Sequence, residues 1–349
     1  MAAEVGRIEP LKCDEVAAAI GRRGPPRIPL VMAKWWGEGL QEQYGGRLRP
    51  LEERYPNDAV LVGLPQSTPS ADALPWCREG RFEGTALDAA TILPDWVYFD
   101  EFLEKMPDLE ASGIFDEAKA QAEHLHAQGT YVLACHWNLF FERPWSIRGM
   151  QNILMDYYLH PDEVHRLHRA LCDQYKTLIE RAVREFQPDG FWTSDDLGNQ
   201  RQLMMKPEHF REFIKPYYEE IGDTCRKHGL RFWLHSCGNN TEVLGDLADA
   251  GVDVFHPVQK HTMDEAQVAR DFGDRLTFLA GLDVQHVLQE GSPEDVRSEV
   301  RHLIDTFDRP GGGMMLAAGN GIVAGTPLEN IEAFLDEAVR YGIAHRRQW

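Results

Sequence analysis

Leu230-Arg231-Phe232-Trp233-Leu234-His235-Ser236-Cys237-Gly238 is an apolar run that ends in a histidine and a cysteine two residues apart, followed by glycine. In a strand, residues i and i+2 point to the same face. His235 and Cys237 are therefore expected to project together from the carboxyl end of a strand. Ligands and reacting groups collect at that end of a parallel sheet, whether open or closed into a barrel. Imidazole and thiolate are donors that zinc prefers, so the pair reads as a borderline-soft metal site or a thiol-based site. The plainer reading is a half-buried cysteine beside a hydrogen-bonded histidine.

Working outward from this run, short apolar stretches alternate with longer amphipathic ones. The strand-like stretches are 28–36, 59–63, 130–137, 190–194, 230–235, 252–256, 276–282 and 313–318. Helical stretches fall at about 114–128, 160–186 and 207–228, and from 327 to 341. Alternating strand and helix implies a parallel sheet. About eight such units fit a (β/α)8 TIM barrel within one domain, 1–349, better than a doubly wound sheet. No GxGxxG follows an early strand, and Gly311-Gly312-Gly313 reads as a turn. The Pro-rich, acidic segment 65–129 is expected to form an irregular insertion or lid over one barrel mouth. Thr326 and Glu329 are spaced as a capping box for the last helix.

A formal charge of -20, from 36 basic and 56 acidic residues, repels phosphate backbones and anionic membrane surfaces. Nucleic acid and membrane are thus not expected partners. The 6 cysteines are widely spaced and include no CxxC pair, which is not a disulfide framework in a chain of this length. No run is long and apolar enough to span a bilayer. Met1 to Arg7 contains no apolar signal core. A cytoplasmic protein acting on a small molecule is the expectation.

On a barrel, chemistry sits where the strands end. Those ends carry Lys34, Trp35 and Trp36; His136, Trp137 and Asn138; Ser194, Asp195 and Asp196; His235 and Cys237; His256, with Gln259 and His261 after it; Asp283, Gln285 and His286; and Asn320. Each has two readings. Asp195 and Asp196 either cap a short turn or place one carboxylate toward the centre. Asp283 is open to the same choice, and His256 is a loop histidine or a site residue. Trp35 and Trp36 plug the mouth or wall in a ring-shaped ligand. Glu142-Arg143 reads as a surface pair and Cys135 as a packed thiol.

Asp195-Asp196-Leu197-Gly198, Pro207-Glu208, Phe213-Ile214-Lys215-Pro216-Tyr217, His235-Ser236-Cys237-Gly238, Gly281-Leu282-Asp283 and Thr326-Pro327-Leu328-Glu329-Asn330 together resemble the uroporphyrinogen decarboxylase superfamily over roughly residues 130–345. The resemblance implies a (β/α)8 barrel and one of two chemistries. One branch decarboxylates without a cofactor, holding a polycarboxylate with N-terminal arginines and using a cleft Asp. The other branch moves methyl groups between corrinoids and thiols, using zinc on a His-x-Cys pair and a later Cys. Here the arginine segment reads Lys34-Trp35-Trp36-Gly37-Glu38-Gly39-Leu40, and Asn320 stands where the later Cys belongs.

The leading reading is accordingly a methyltransferase or demethylase with zinc on His235 and Cys237. Asp196 and Asp283 would orient groups or accept protons, and His256 would be third ligand or acid–base. Trp35, Trp36, Trp137, His136, Asp195 and Asn320 would contact substrate. The implied partner is a separate corrinoid protein, and the implied assembly a homodimer. The alternatives are a cofactor-free lyase for a small carboxylic acid, with Lys34 or Arg201 holding the carboxylate, and a non-catalytic ligand-binding barrel.

Overall fold

The computed structural model describes residues 7–77 and 91–348. Residues 78–90 of the expected insertion, and residues 1–6 of the N-terminal stretch, lie outside the described residues. The strands are β1 (Ala59–Gly63), β2 (Tyr131–His136), β3 (Gly190–Ser194), β4 (Arg231–His235), β5 (Val254–His256), β6 (Thr277–Leu282) and β7 (Met314–Ala318). They follow in chain order in a 7-stranded sheet. β2–β3, β3–β4, β5–β6 and β6–β7 all pair in parallel. Every residue of β2, β3, β6 and β7 is buried. That is why these segments read as continuous apolar runs and not as alternating ones.

The chain divides into two compact units. One comprises Met1–Val60, His124–Val132 and Asp253–Trp349, the other Leu61–Glu123 and Leu133–Val252. In the first unit, β5, β6 and β7 carry the long helices Pro293–Phe307 and Leu328–Arg346. Its amino-terminal portion is tied down by a buried charge. The Asp58 carboxylate accepts both terminal nitrogens of Arg27 at 2.7 Å and the backbone N–H groups of Leu11 at 2.8 Å and Leu30 at 2.7 Å.

The expected first strand, 28–36, is not a strand. Only Leu30 and Trp36 make isolated bridges, to Leu316 and Ile322. Pro29 has no N–H to give a ladder, and Met32 sits at φ 55, outside the extended region. What survives is local. Leu316 donates to the Pro29 carbonyl at 2.9 Å, Val31 donates to Leu316 at 3.0 Å, and Asp58 donates to Leu30 at 2.9 Å.

In the second unit, the helix Pro161–Phe186 opens with Pro in its first turn, where the missing N–H costs nothing. It buries Val164, Leu167, Leu171, Tyr175, Leu178 and Ala182, an i, i+3, i+4 stripe facing the core. The expected helix 207–228 is broken. Pro207–His209 is followed by a π-helical turn, Phe210–Ile214, and then by the helix Lys215–Lys227. Pro216 explains the break, because it cannot donate back to residue 212 and its ring crowds that carbonyl. Within 65–129 the described residues form short 3-10 turns at Ala71–Ala73, Pro75–Cys77 and Trp96–Tyr98, and helices at Phe99–Glu104 and Asp116–Ala127.

Candidate metal centre

β3 and β4 pair so that Ser194 lies opposite His235, each the last residue of its strand. The loops that leave them are locked together. Leu197 N–H donates to Ser236 Oγ at 3.1 Å, and Cys237 N–H donates to Asp196 Oδ1 at 2.7 Å. Asn240 Nδ2 donates to the carbonyls of Ser236, Cys237 and Gly238 at 3.1, 3.1 and 3.2 Å. Gly238 is at φ +81, and a Cβ there would lie 2.3 Å from the Gly198 carbonyl carbon. Only glycine satisfies both conditions, which gives the final residue of the opening run its reason.

The result is a three-donor cluster. Ligand atoms of Asp196, His235 and Cys237 all lie within 4.8 Å of one another. His235 Nε2 is 3.3 Å from Cys237 Sγ and 3.6 Å from Asp196 Oδ1. Bonds of about 2.0–2.3 Å to a tetrahedral zinc place neighbouring donors roughly 3.3–3.6 Å apart, so these residues fit that ion. Burial pushes His235 down to about 4, so the imidazole is neutral near pH 7 and keeps a lone pair. Burial raises Asp196, opposed by the Cys237 N–H and thiol.

Asp195, adjacent in sequence, is wholly buried. Its oxygens accept from the N–H groups of Phe140 (3.0 Å), Phe141 (3.0 and 3.1 Å) and Glu142 (2.7 Å), and from Tyr218 Oη at 2.9 Å. Burial nonetheless lifts it to about 6. This carboxylate pins the chain after β2. Glu142 is not the surface half of a pair: it is 7% exposed, and its Oε2 accepts from Ser194 Oγ at 2.8 Å. Burial, then the nearby Asp196 and Asp195 charges, push it to about 8. The signal in the sequence was position, since Glu142 follows Leu139, Phe140 and Phe141, all fully buried.

His136, at the end of β2, is 3% exposed and pushed to about 3 by burial and then by Arg143. Its ring lies 5.1 Å from that of Tyr175. Trp137 is 43% exposed and sits edge-on to Trp192 at 4.4 Å. Trp192 in turn lies 6.2 Å from the His235 ring. A cleft of about 390 Å³ lined by Tyr157, Tyr158, Met204, Lys206 and His209 also opens in this unit, without the three donors in its wall. The donors' chemistry, not the cleft's size, marks the site.

Lys34, Trp35, Trp36, His256, Asp283 and Asn320 belong to the first unit, and Arg201 to the second. His256 is 1% exposed, with Nε2 at 3.0 Å from the Ala318 carbonyl and its ring 6.5 Å from Trp35. Trp36 Nε1 donates to Glu52 Oε1 at 2.8 Å. The Lys34 ammonium is held by the carbonyls of Glu52 and Tyr55. Asn320 Oδ1 accepts from Gly321 N–H at 2.7 Å. Asp283 joins His261 and His286 in a second cluster, with ligand atoms again within 4.8 Å.

The class these features define is a parallel α/β protein that brings an imidazole, a thiol and a carboxylate together at the ends of two neighbouring strands. Residues 145–341 match the uroporphyrinogen decarboxylase (URO-D) family, and the chain belongs to it. It is 28% identical over 132 residues to the methylcobamide:CoM methyltransferase MtaA of Methanosarcina barkeri, covering 38% of this chain and 36% of that protein. It is 28% identical over 170 residues to MtbA of Methanosarcina acetivorans, covering 49% and 47%. The matched stretch thus spans less than half the length of either curated relative. A uroporphyrinogen decarboxylase of Coxiella burnetii aligns over 97% of both chains at 24% identity. A methyltransferase structure from Methanosarcina mazei superposes with a TM-score of 0.66 at 16% identity, covering 95% of this chain and 98% of that one, which fixes the likeness of fold.

Proposed function

We propose that this protein is a methyltransferase that moves a methyl group between a corrinoid on a separate protein and a thiol or similar acceptor. Asp196, His235 and Cys237 would hold a zinc ion. The observation that carries the proposal is their convergence at donor spacings that suit zinc. Its context is a family whose matched relatives include methylcobamide:CoM methyltransferases. Zinc bound there would lower the pKa of an acceptor thiol and present it as thiolate.

The chain's own residues do the rest. His235, held neutral by burial, offers a lone pair at neutral pH. The Cys237 N–H fixes the Asp196 carboxylate toward the pair. Glu142 keeps a proton close to that carboxylate. Trp137, backed by Trp192, walls in an apolar substrate. We also propose that residues 28–36 occupy the first-strand place of a closed barrel, supported by the Leu30–Leu316 bridge, and that 65–77 and 91–123, in the same compact unit as the site, act as its lid. A cytoplasmic setting is supported by the wide spacing of the 6 cysteines, with no CxxC pair among them.

The test is metal content and turnover of the untagged protein. About one zinc per chain should be lost in Cys237→Ala, and methyl transfer from methylcobalamin to a thiol should fall by at least ~100-fold. Unchanged metal content in that variant removes the assignment. A second reading, a lyase for a small carboxylic acid, draws support from the decarboxylase that aligns over 97% of the chain. CO2 release by metal-free protein, abolished in Asp196→Asn, would select it.

A further inference from the structure

We infer that His261, Asp283 and His286 form a second divalent-metal site, made entirely within the first unit and independent of the methyltransferase reading. Asp283 directly follows β6, and its two oxygens have separate tasks. Oδ1 accepts the N–H groups of Gln285 at 2.9 Å and His286 at 3.3 Å, folding the loop back on itself. Oδ2 faces both imidazoles, 3.2 Å from His286 Nδ1 and 3.9 Å from His261 Nε2. These separations bracket the roughly 3.3 Å edge expected for nitrogen and oxygen donors about 2.0–2.1 Å from one ion.

His261 reaches this position from the loop after β5. Its backbone is left-handed, φ 66, and is fixed by Thr262, whose N–H and Oγ1 both donate to the Gln259 carbonyl at 3.2 and 2.7 Å. The two rings meet edge to face, 5.6 Å apart. The neighbouring cation does not fill the site, because Lys260 is bound to Glu299 at 2.7 and 2.8 Å.

Two imidazoles and one carboxylate, with no sulfur, select zinc, cobalt(II), nickel(II) or iron(II) over calcium or magnesium. The carboxylate is only 7% exposed while the imidazoles are 62–63% exposed, so the ion would rest on a fixed anion with coordination positions open to solvent. Such a three-ligand set accepts an oxygen donor from a small molecule.

Cobalt(II) separates the two sites. Metal-stripped, full-length, untagged Cys237→Ala should still bind about one cobalt per chain, with visible d–d bands and no near-ultraviolet thiolate charge-transfer band. Adding His286→Ala, or separately His261→Ala, should weaken that binding by about tenfold or more, with unchanged circular dichroism because both side chains are largely exposed. Cobalt affinity that is the same with and without the two histidines overturns the site, as does a Cys237→Ala protein that takes up no cobalt. Loss of the thiolate band alone concerns only the Asp196–His235–Cys237 centre.

Discussion

Single residues in this protein owe their behaviour to what burial leaves them. Asp58 and Arg27 are 0% and 6% exposed, and removing one partner strands the other as an uncompensated charge. Asp58→Ala should therefore lower stability by about 3–5 kcal/mol, read as a drop in urea midpoint with an unchanged m-value. None of this was legible in the sequence, because the partners lie 31 residues apart and nothing in either neighbourhood marks them as a pair. His235 and Cys237 were legible because a spacing of two in a strand is a local rule. Asp196 as their companion was legible only as one of a Asp195–Asp196 pair. The structure separates the two by their hydrogen bonds: Asp195 serves the backbone after β2 and Asp196 the Cys237 loop.

At the scale of elements, glycine positions show where segments touch. A Cβ on Gly222, within Lys215–Lys227, would lie 2.1 Å from the Ala250 carbonyl oxygen. Gly222→Ala should cost about 1–3 kcal/mol through overpacking, seen in thermal melts. Gly238→Ala would strain both the left-handed backbone and the Gly198 contact. It should loosen metal binding while leaving Cys237 in place, which metal titration of the two variants side by side would show. Helix boundaries were readable where Pro opens a helix, as at Pro161. They were misread where Pro acts on what precedes it. The expected capping box at Thr326 and Glu329 is not formed: the last helix begins at Leu328 after an extended Pro327, and Thr326 Oγ1 is buried without a partner. Strand 28–36 failed for a related reason, since a β-rich composition cannot overrule a left-handed Met32.

Taken as a whole molecule, the chain sets opposing proton demands against each other. His168, with Nδ1 2.6 Å from the Phe213 carbonyl, is pushed by burial from 6.5 to about 4. The unfolded chain then takes up a proton below about pH 6.5 that the folded chain refuses until about 4, so stability falls as pH drops through that window. His168→Gln should flatten the fall. Glu142 works in the opposite sense. Its folded value near 8 exceeds the ordinary 4.5, so the folded state holds the proton longer and stability declines as pH rises from about 4.5 to 8. Glu142→Gln should melt progressively higher than the parent across that range. The strand alternation that announced a parallel sheet was visible in the order of apolar and amphipathic stretches along the chain, but which histidines and carboxylates would be desolvated depended on contacts far apart in the chain.

Trp137 and Trp192, edge to face at 4.4 Å with His235 6.2 Å beyond, give the protein a built-in optical reporter. A paramagnetic cation seated on His235 would drain indole emission at short range, with no dye attached. Comparing the parent with Trp137→Phe isolates that pair from the other tryptophans and turns metal occupancy into a fluorescence signal that can be followed in a stopped-flow cell.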